Sequence, residues 1–316
     1  MTTIDLGAPA PNPLHLLDGL PRRATLTLPE LRYCASSAGD APLPFVLDDA
    51  VGVEGGEPPA AADPLADRLG VRPAEPSAAA YGEALATLHD PLESLARRGL
   101  VTPDGVDPGL LGALGLLASP SVGVDIDVAA GDVRGKAWHR QRDEAVATLA
   151  TVDGVVFELA WFSTDDWADE LRRVPSIPED VALSPSSVPE LVDLPYELLD
   201  AAGEALRTHR GDLLDAVVAT YDGTVVDGDG HRLSTSEIRT VVEAVHRETH
   251  GRIRAMLADV GGPTTTIGVI SWVLLADGWH SLRPHRTGDD LRVEVRRVEP
   301  FDFATTLAPV LAEVTA

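Results

Sequence analysis

An internal repeat is the feature of this sequence that most limits its fold. Helical segments, four strand-like runs and a further helical segment follow one another in the first half, and the same order returns in the second half. The predicted strands lie at 122–128, 133–142, 145–151 and 155–162, and again at 253–260, 266–275, 279–286 and 291–298. The breaks between the runs are short and contain glycine or acidic residues, which is typical of antiparallel meanders. The repeat predicts an α+β fold with a central antiparallel β-sheet, flanking helical bundles and a pseudo-two-fold axis.

Capping residues and amphipathic spacing predict where the helices lie. Thr27 and Glu30 have the spacing of a capping box and follow a short alternating strand at 24–28, so the first helix is expected to begin there. Ser234 and Glu237 have the same spacing and introduce another helix. The remaining helices are expected at 81–95, 110–117, 167–174, 196–208, 213–221 and 303–311.

The sequence also predicts the type of one turn. Asp153-Gly154 lies between two predicted strands, and this dipeptide favours a two-residue type I′ turn. Such a turn needs positive φ at both central residues, which Asp and Gly tolerate better than most residues.

The repeat also divides the chain into an N-terminal half, 1–174, and a C-terminal half, 194–316. A proline-rich connector, 175–193, joins them. Segment 48–80 of the first half is rich in proline, alanine, glycine and acid, so we expect a flexible acidic loop. Each meander would have edges that the other half could cover, which favours one composite domain. Two separate domains are the alternative.

The acidic balance of the chain limits its partners. Fifty Asp and Glu residues stand against 25 Lys and Arg residues, which gives a formal net charge of −25 at pH 7. This charge repels phosphate backbones and anionic lipid headgroups, so nucleic acid is not an expected partner. The acidic excess suits either a high-salt cytoplasm or a carrier that keeps an aggregation-prone client in solution.

The cysteine count and the apolar runs point to a cytoplasmic location. Cys34 is the single cysteine, which excludes an intramolecular disulfide framework and a multi-cysteine metal site. The first twenty residues lack the basic-then-apolar order of a secretory signal. No stretch approaches eighteen uninterrupted apolar residues, so membrane insertion is not expected.

Two motifs contain metal-ligating residues. His246 and His250 are four residues apart on a predicted helix, but the intervening glutamate is in the third position, whereas metalloproteases need it in the second. Segment 227–230 begins like a calcium loop, but Ile238 stands where an EF-hand needs its acid. A solvated histidine pair and a flexible turn are the favoured interpretations. We therefore assign no catalytic, cofactor-binding or metal-binding residue.

Tryptophans and a small group of basic residues stand out in the two meander regions. All five tryptophans lie in these regions: Trp138, Trp161, Trp167, Trp272 and Trp279. Packing in the core is favoured, and an exposed binding surface is the alternative. A small basic island is interpreted as a solvated strand edge, and its members are His280, Arg283, His285 and Arg286.

Short motifs in both halves resemble a known family. In the first half they are Leu26-Thr27-Leu28-Pro29-Glu30-Leu31, Pro42-Leu43-Pro44, the run from Leu88 to Leu95-Ala96-Arg97-Arg98-Gly99-Leu100-Val101, Asp104-Gly105 and Leu117-Ala118-Ser119-Pro120. In the second half they are Gly251-Arg252-Ile253, Gly268-Val269-Ile270-Ser271-Trp272, Asp277-Gly278-Trp279 and Pro284. Together, and in this order, they resemble the EspG family of type VII (ESX) secretion chaperones.

The resemblance implies a cytosolic, non-enzymatic chaperone that binds a helical secretion substrate. In that family the client is of the PPE type, usually paired with a PE partner, and the chaperone shields its apolar tip. A PPE-like or WXG-type protein is therefore the expected partner, no cofactor is expected, and both a monomer and a dimer are open.

The resemblance also implies where the client binds. Family contacts fall on the loop between the first two sheet strands, which here corresponds to Gly131, Asp132, Val133 and Arg134. They also fall on the C-terminal helical bundle, here 195–249, where Tyr196 and Leu199 are the expected contacts. The loop is short and the acidic insertion at 48–80 departs from the family pattern, which could indicate a different client.

An enzyme is the alternative function. Two carboxylic acids with separated pKa values are sufficient for acid/base chemistry, so an acidic hydrolase or a small-ligand enzyme is compatible with this composition. The acids are so numerous that the sequence singles out no particular pair.

Overall fold

The computed structural model describes residues 22–45, 90–261 and 267–314. The predicted loop 48–80 and the first part of the predicted helix 81–95 lie outside these residues. Within the described ranges, none of the helices is long and apolar enough to cross a membrane.

The first half of the chain contains seven strands and four helices among the described residues. They are β1 (Arg22–Thr27), α1 (Leu28–Ser37), α2 (Pro91–Arg97), β2 (Val101–Thr102), β3 (Gly105–Val106), α3 (Pro108–Ala118), β4 (Val122–Ala130), β5 (Val133–Arg142), β6 (Ala145–Thr151), β7 (Val156–Ser163) and α4 (Trp167–Leu171). A single 3-10 turn, Thr164–Asp166, precedes α4.

The second half begins with a strand and ends with a helix. Its elements are β8 (Leu191–Pro195), α5 (Tyr196–Arg207), α6 (Gly211–Thr220), β9 (Val226–Asp227), α7 (Thr235–Glu248), β10 (Gly251–Asp259), β11 (Ile267–Leu275), β12 (Gly278–Thr287), β13 (Asp290–Arg297) and α8 (Asp302–Val314).

Eleven of the strands form one antiparallel sheet in the order β1-β7-β6-β5-β4-β10-β11-β12-β13-β8-β9. The strands β4 to β7 and β10 to β13 are two meanders, and they join where β4 pairs with β10. At this seam Ile126 lies opposite Ala255, and both are buried. The predicted mixture of helices and strands around a large antiparallel sheet is confirmed.

Local sequence signals explain where several elements begin. The Thr27 hydroxyl accepts a hydrogen bond from the Glu30 N–H at 3.4 Å, and the Glu30 carboxylate accepts one from the Thr27 N–H at 2.8 Å. This is the predicted capping box at the start of α1. At the start of α7, the Ser234 N–H donates to the Glu237 carboxylate at 2.8 Å.

Helices cover both faces of the sheet. We call the face that carries α1 to α3 and α5 to α7 the front face, and the face that carries α4 and α8 the back face. Side chains alternate between the faces along each strand. Thus Ile253, Ala255 and Leu257 of β10 are buried on the back face, whereas Arg254 and Met256 are exposed on the front face.

Some expectations about single elements need correction. Asp153 does not have positive φ, so its turn is not type I′; its carboxylate instead accepts the N–H groups of Val155 and Val156, both at 2.9 Å. The helix after β7 ends at Leu171 instead of residue 174. Strand β8 was not predicted, because part of it lies in the proline-rich connector.

The tryptophans pack in the core, as the favoured interpretation predicted, since each is at most 7% exposed. The alternative of an exposed tryptophan surface is wrong.

The prediction of a solvated basic island is also wrong in part, because His280 is fully buried and its pKa is lowered by burial. His285 is held by Asp193 at 3.1 Å, which leaves Arg283 and Arg286 as exposed members.

Candidate partner-binding groove

The middle of the front face is open because the two helical groups pack on the outer strands. Helices α1 and α3 contact β1, β7, β6 and β5, whereas α5 contacts β13 and β8. Strands β4 and β10 lie between the groups, and their front-face side chains include Asp127, Arg252, Arg254 and Met256, which are all exposed. A groove therefore crosses the centre of the sheet.

The larger part of this groove lies beside α5 and has a volume of about 580 Å³. Tyr196 and Leu199 of α5 form one wall, and Arg252, Val269 and Ser271 lie on the sheet floor. Tyr196 is 44% exposed and Val269 is 49% exposed. We call this part the central groove. Exposed apolar side chains set between polar ones are typical of a surface that another protein covers.

A smaller pocket of about 280 Å³ lies on the other side of β10. Phe45, Trp138, Arg254 and Met256 are among its lining residues. The Phe45 ring is fixed in place because it stacks on Phe157 with centroids 5.2 Å apart. Met256 is directly opposite Val269 in the β10–β11 register, so the pocket continues the central groove across the sheet.

The charges around the groove are mixed. Asp125 binds Arg140 at 2.6 Å, and Asp127 lies 4.0 Å from Lys136. Arg252 on the floor stands between Ala129 and Val273 in the register, with no charged residue directly opposite. An apolar strip with cations on the floor suits an amphipathic segment that carries carboxylates beside its apolar side chains.

Comparison with known proteins gives a clear likeness to a solved structure. No family model matches the sequence, and no curated protein matches it either. Among solved structures, the type VII secretion system chaperone EspG5 of Mycobacterium tuberculosis, in complex with a PE25–PPE41 dimer, is similar with a TM-score of 0.57. The match covers 93% of this chain and 97% of that chain at 12% sequence identity.

The chain has an EspG-like fold. An identity of 12% establishes the fold alone, so the predicted resemblance to EspG is confirmed at that level.

The six site residues expected from the resemblance fall on different parts of this EspG-like fold. Tyr196 and Leu199 line the central groove. Gly131 and Asp132 form the two-residue turn between β4 and β5, and the Gly131 N–H donates to the His250 carbonyl at 2.9 Å. Gly131 has a φ of 57°, which its missing Cβ permits.

The two remaining expected residues follow this turn and point to opposite faces. Val133 lines a pocket on the back face. Arg134 pairs with Ala129, which in turn pairs with Arg252, so Arg134 belongs to the front face near the end of the groove floor. The structure therefore places Tyr196, Leu199 and Arg134 on one face of the sheet and Val133 on the other.

Sequence reasoning missed Met256 and Val269, which contribute exposed apolar surface to the groove. One signal was available for Met256, because it occupies an outward position in the alternating strand β10. Val269 carried no such signal, since β11 is apolar on both faces and reads as a buried strand.

The candidate metal motifs are now defined in space. Ligand atoms of Asp227, Asp229 and His231 lie within 4.8 Å of one another on an exposed loop. Asp227 Oδ1 already accepts the backbone N–H groups of Asp229 and His231, at 3.0 and 2.8 Å, which is an ordinary turn arrangement. Helix α7 ends at Glu248, so His250 is not on the same helix face as His246.

One carboxylate pair can be tested as an acid/base pair. Glu158 and Glu170 each form ion pairs with both Arg23 and Arg173. Glu158 lies 2.8 Å from Arg23 and 3.1 Å from Arg173, and Glu170 lies 3.0 Å from Arg173. Burial raises the pKa of Glu170, but the hydrogen bonds and charges of the two arginines outweigh this and lower the pKa. Pairing with the two arginines therefore favours the ionised form of Glu170, which is unlike a general acid.

Proposed function

We propose that this protein is a non-catalytic chaperone or adaptor that binds a helical secretion protein in the central groove. The observation that carries this proposal is the EspG-like fold, since the match covers 93% of the chain. The front-face groove of this chain supplies the candidate site. The neighbour with this fold is a type VII secretion chaperone in complex with a PE–PPE dimer.

The lining of the groove supports a helical client. In this proposal one helix end of the client lies between α5 and the Phe45 side of the groove. Met256, Val269 and Tyr196 would contact the apolar stripe of that helix. Arg252 and Arg254 would contact carboxylates at the border of the stripe. This is helix-in-groove recognition, in which a few apolar anchors supply most of the affinity.

The client in this proposal is a PPE-like protein with its PE partner or, as a second candidate, a WXG-type protein. The chaperone would keep the client in solution in the cytoplasm and direct it to a type VII secretion machinery. A net charge of −25 supports the first part of this role, since a highly charged carrier resists association while it holds an apolar surface.

We also propose that the halves 1–174 and 194–316 form one composite domain related by a pseudo-two-fold axis. The arrangement of the sheet supports this, because two four-stranded meanders meet at β4 and β10. The joint would hold the groove rigid, since its floor includes strands from both meanders.

Co-expression with PE, PPE or WXG-type proteins encoded by the same genome tests the proposal. We expect one stoichiometric complex by size-exclusion chromatography, in which the client is soluble only in the presence of the chaperone. Arg134→Ala and Tyr196→Ala then separate the two expected contact regions, because the first alters the start of β5 and the second alters the groove wall. Clients that are equally soluble with and without the chaperone, and that elute separately from it, would refute the proposal.

A further inference from the structure

A second large pocket lies on the back face, opposite the central groove. Its volume is about 580 Å³, within the roughly 300 to 1,000 Å³ range of small-molecule sites. The pocket exists because α4 has only five residues, whereas the thirteen-residue α8 covers β10 and β11 on the same face. We call it the back pocket. Val133, Val152 and Val156 line its rim, and they are 43%, 70% and 39% exposed.

Two buried polar side chains lie on the floor of the back pocket. His139 of β5 and Thr148 of β6 are direct partners in the strand register. They are only 2% and 3% exposed, and both line the pocket. Two polar groups side by side in a mostly apolar pocket are what a ligand with one polar group requires.

The protonation of His139 follows from its neighbour Trp167. The indole Nε1–H of Trp167 donates to His139 Nδ1 at 3.0 Å, and an indole nitrogen can only donate. Nδ1 is therefore the acceptor, so the proton of the neutral ring is on Nε2. Burial lowers the pKa of His139 to about 4, which keeps the ring neutral at pH 7. His139 thus presents an Nε2–H donor.

This donor and the neighbouring hydroxyl have no hydrogen-bond partner in the part of the protein that the structure describes. Among the described residues, neither His139 Nε2 nor the Thr148 hydroxyl makes a hydrogen bond. Buried polar groups in folded proteins ordinarily have a protein or solvent partner. The floor of the back pocket therefore has one donor, and one group that can donate or accept, available for a bound molecule.

The charges at the pocket wall select against an anion. Arg173 is the charged donor on this wall, and it binds Glu158 at 3.1 Å and Glu170 at 3.0 Å. Lys136, which also lines the pocket, lies 4.0 Å from Asp127. Both cations of the lining are already engaged by carboxylates, so a carboxylate ligand would gain little from them.

We propose that the back pocket binds a small neutral amphiphile, such as a medium-chain ketone, ester or alcohol. The oxygen of this molecule accepts a hydrogen bond from His139 Nε2–H and forms a second hydrogen bond with the Thr148 hydroxyl. Its apolar chain lies along Val133, Val152 and Val156. This binding activity is separate from client binding, since the back pocket and the central groove lie on opposite faces of the sheet.

Titration of the full-length protein with 2-decanone tests the proposal, with decanoate as the charged analogue. We expect saturable shifts in the ¹H–¹⁵N spectrum, centred on Val133, Ala150 and Val156. Decanoate is expected to bind about tenfold more weakly, because its charge would lose hydration without a free cation.

Variants of Thr148 identify the polar contact. Thr148→Val keeps the shape but removes the hydroxyl, so 2-decanone should bind about threefold to tenfold more weakly. Thr148→Ser restores the hydroxyl and should bind like the wild type. Ser271→Ala, on the front face, is the matched control and should leave binding unchanged.

Three results would overturn the proposal. The first is the absence of saturable shifts up to the solubility limit of 2-decanone, which would mean that water fills the pocket. The second is equal binding by Thr148→Val and the wild type. The third is shifts at the back pocket that require a protein client instead of the ketone, since the pocket would then belong to that interface.

Discussion

Met256 of β10 lies directly opposite Val269 of β11, and the two side chains are 42% and 49% exposed. Apolar cross-strand pairs of this kind are ordinarily covered by a helix or a second sheet. Here they lie between two helical groups, on the floor of a groove that crosses the seam of the two meanders. The proposed client contact is built on this pair.

The first prediction concerns the seam itself. A Cβ at Gly251 would lie 2.4 Å from the Ala129 carbonyl oxygen and 3.0 Å from Ala130 Cα, and backbone cannot move away cheaply. Gly251→Ala is therefore expected to lower the free energy of unfolding by about 2 kcal/mol. Chemical denaturation measures this change. Gly115→Ala is the control, since that helical position has nothing within 4 Å and should gain about 0.5 to 1 kcal/mol.

The second prediction concerns the N-cap of α1. Thr27→Ala removes the hydroxyl that accepts the Glu30 N–H, so the free energy of unfolding should fall by about 1 kcal/mol. Thr27→Ser keeps an equivalent hydroxyl and should lie within about 0.5 kcal/mol of the wild type. Equal losses in both variants would show that the methyl group, and not the cap, stabilises this position.

The third prediction concerns pH. Burial lowers the pKa of His139 to about 4 in the folded protein, whereas the unfolded value is near 6.5. Between these values the unfolded chain binds a proton that the folded chain does not, so stability falls as the pH falls from about 6.5 to 4. The titration of His139 lowers the free energy of unfolding by about 3 kcal/mol over this pH range. It should be seen in unfolding curves measured at pH 7 and pH 4.5.

His139→Gln is the control for this pH dependence. Its amide oxygen can still accept the Trp167 N–H, but the side chain does not titrate. The loss of stability on acidification should be smaller in this variant, while carboxylate titration affects both proteins alike. A parallel loss in both would assign the effect to other groups.

The fourth prediction concerns Cys34, which is fully buried in α1. Burial raises the pKa of this thiol to about 11, so very little thiolate is present at pH 8. A thiol reagent should therefore label the folded protein at least about 100-fold more slowly than the unfolded chain in denaturant. Rapid labelling under native conditions would contradict the packing of α1 against α2 and α3.

The strands could be predicted closely from sequence where one face is buried and the breaks are clear. Strands β5 and β6 begin and end at the predicted residues, 133–142 and 145–151. Their turns follow from short-range chemistry, since Gly131 and Asp143 supply the positive φ values that tight connections need.

The turn at Asp153 shows the limit of such local rules. The dipeptide Asp-Gly permits a type I′ turn, but the Asp153 side chain can also accept backbone N–H groups, and here it does so. Strand β8 shows another limit, since Leu191–Pro195 becomes a strand only through its pairing with β13, about a hundred residues away.

The groove could be predicted only in part. Alternation along β10 indicates that Arg252, Arg254 and Met256 share one face, but it does not indicate whether a helix covers them. That outcome depends on the pairing of β4 with β10 and on where two distant helical groups pack. The back pocket depends likewise on the early end of α4 at Leu171, which amphipathic spacing placed at residue 174.

The central groove as the client site is tested most directly by the affinity of a Val269→Glu variant for the client that co-expression identifies. Calorimetry measures this affinity. A carboxylate at this position would be buried against the apolar stripe of the client, so we expect the Kd to rise at least about 30-fold. Leu183→Glu is the matched control, because Leu183 is a similarly exposed apolar residue, 51% accessible, outside the groove. Its Kd should equal that of the wild type. A Val269→Glu protein that remains folded and binds the client with unchanged affinity would contradict the central groove as the client site.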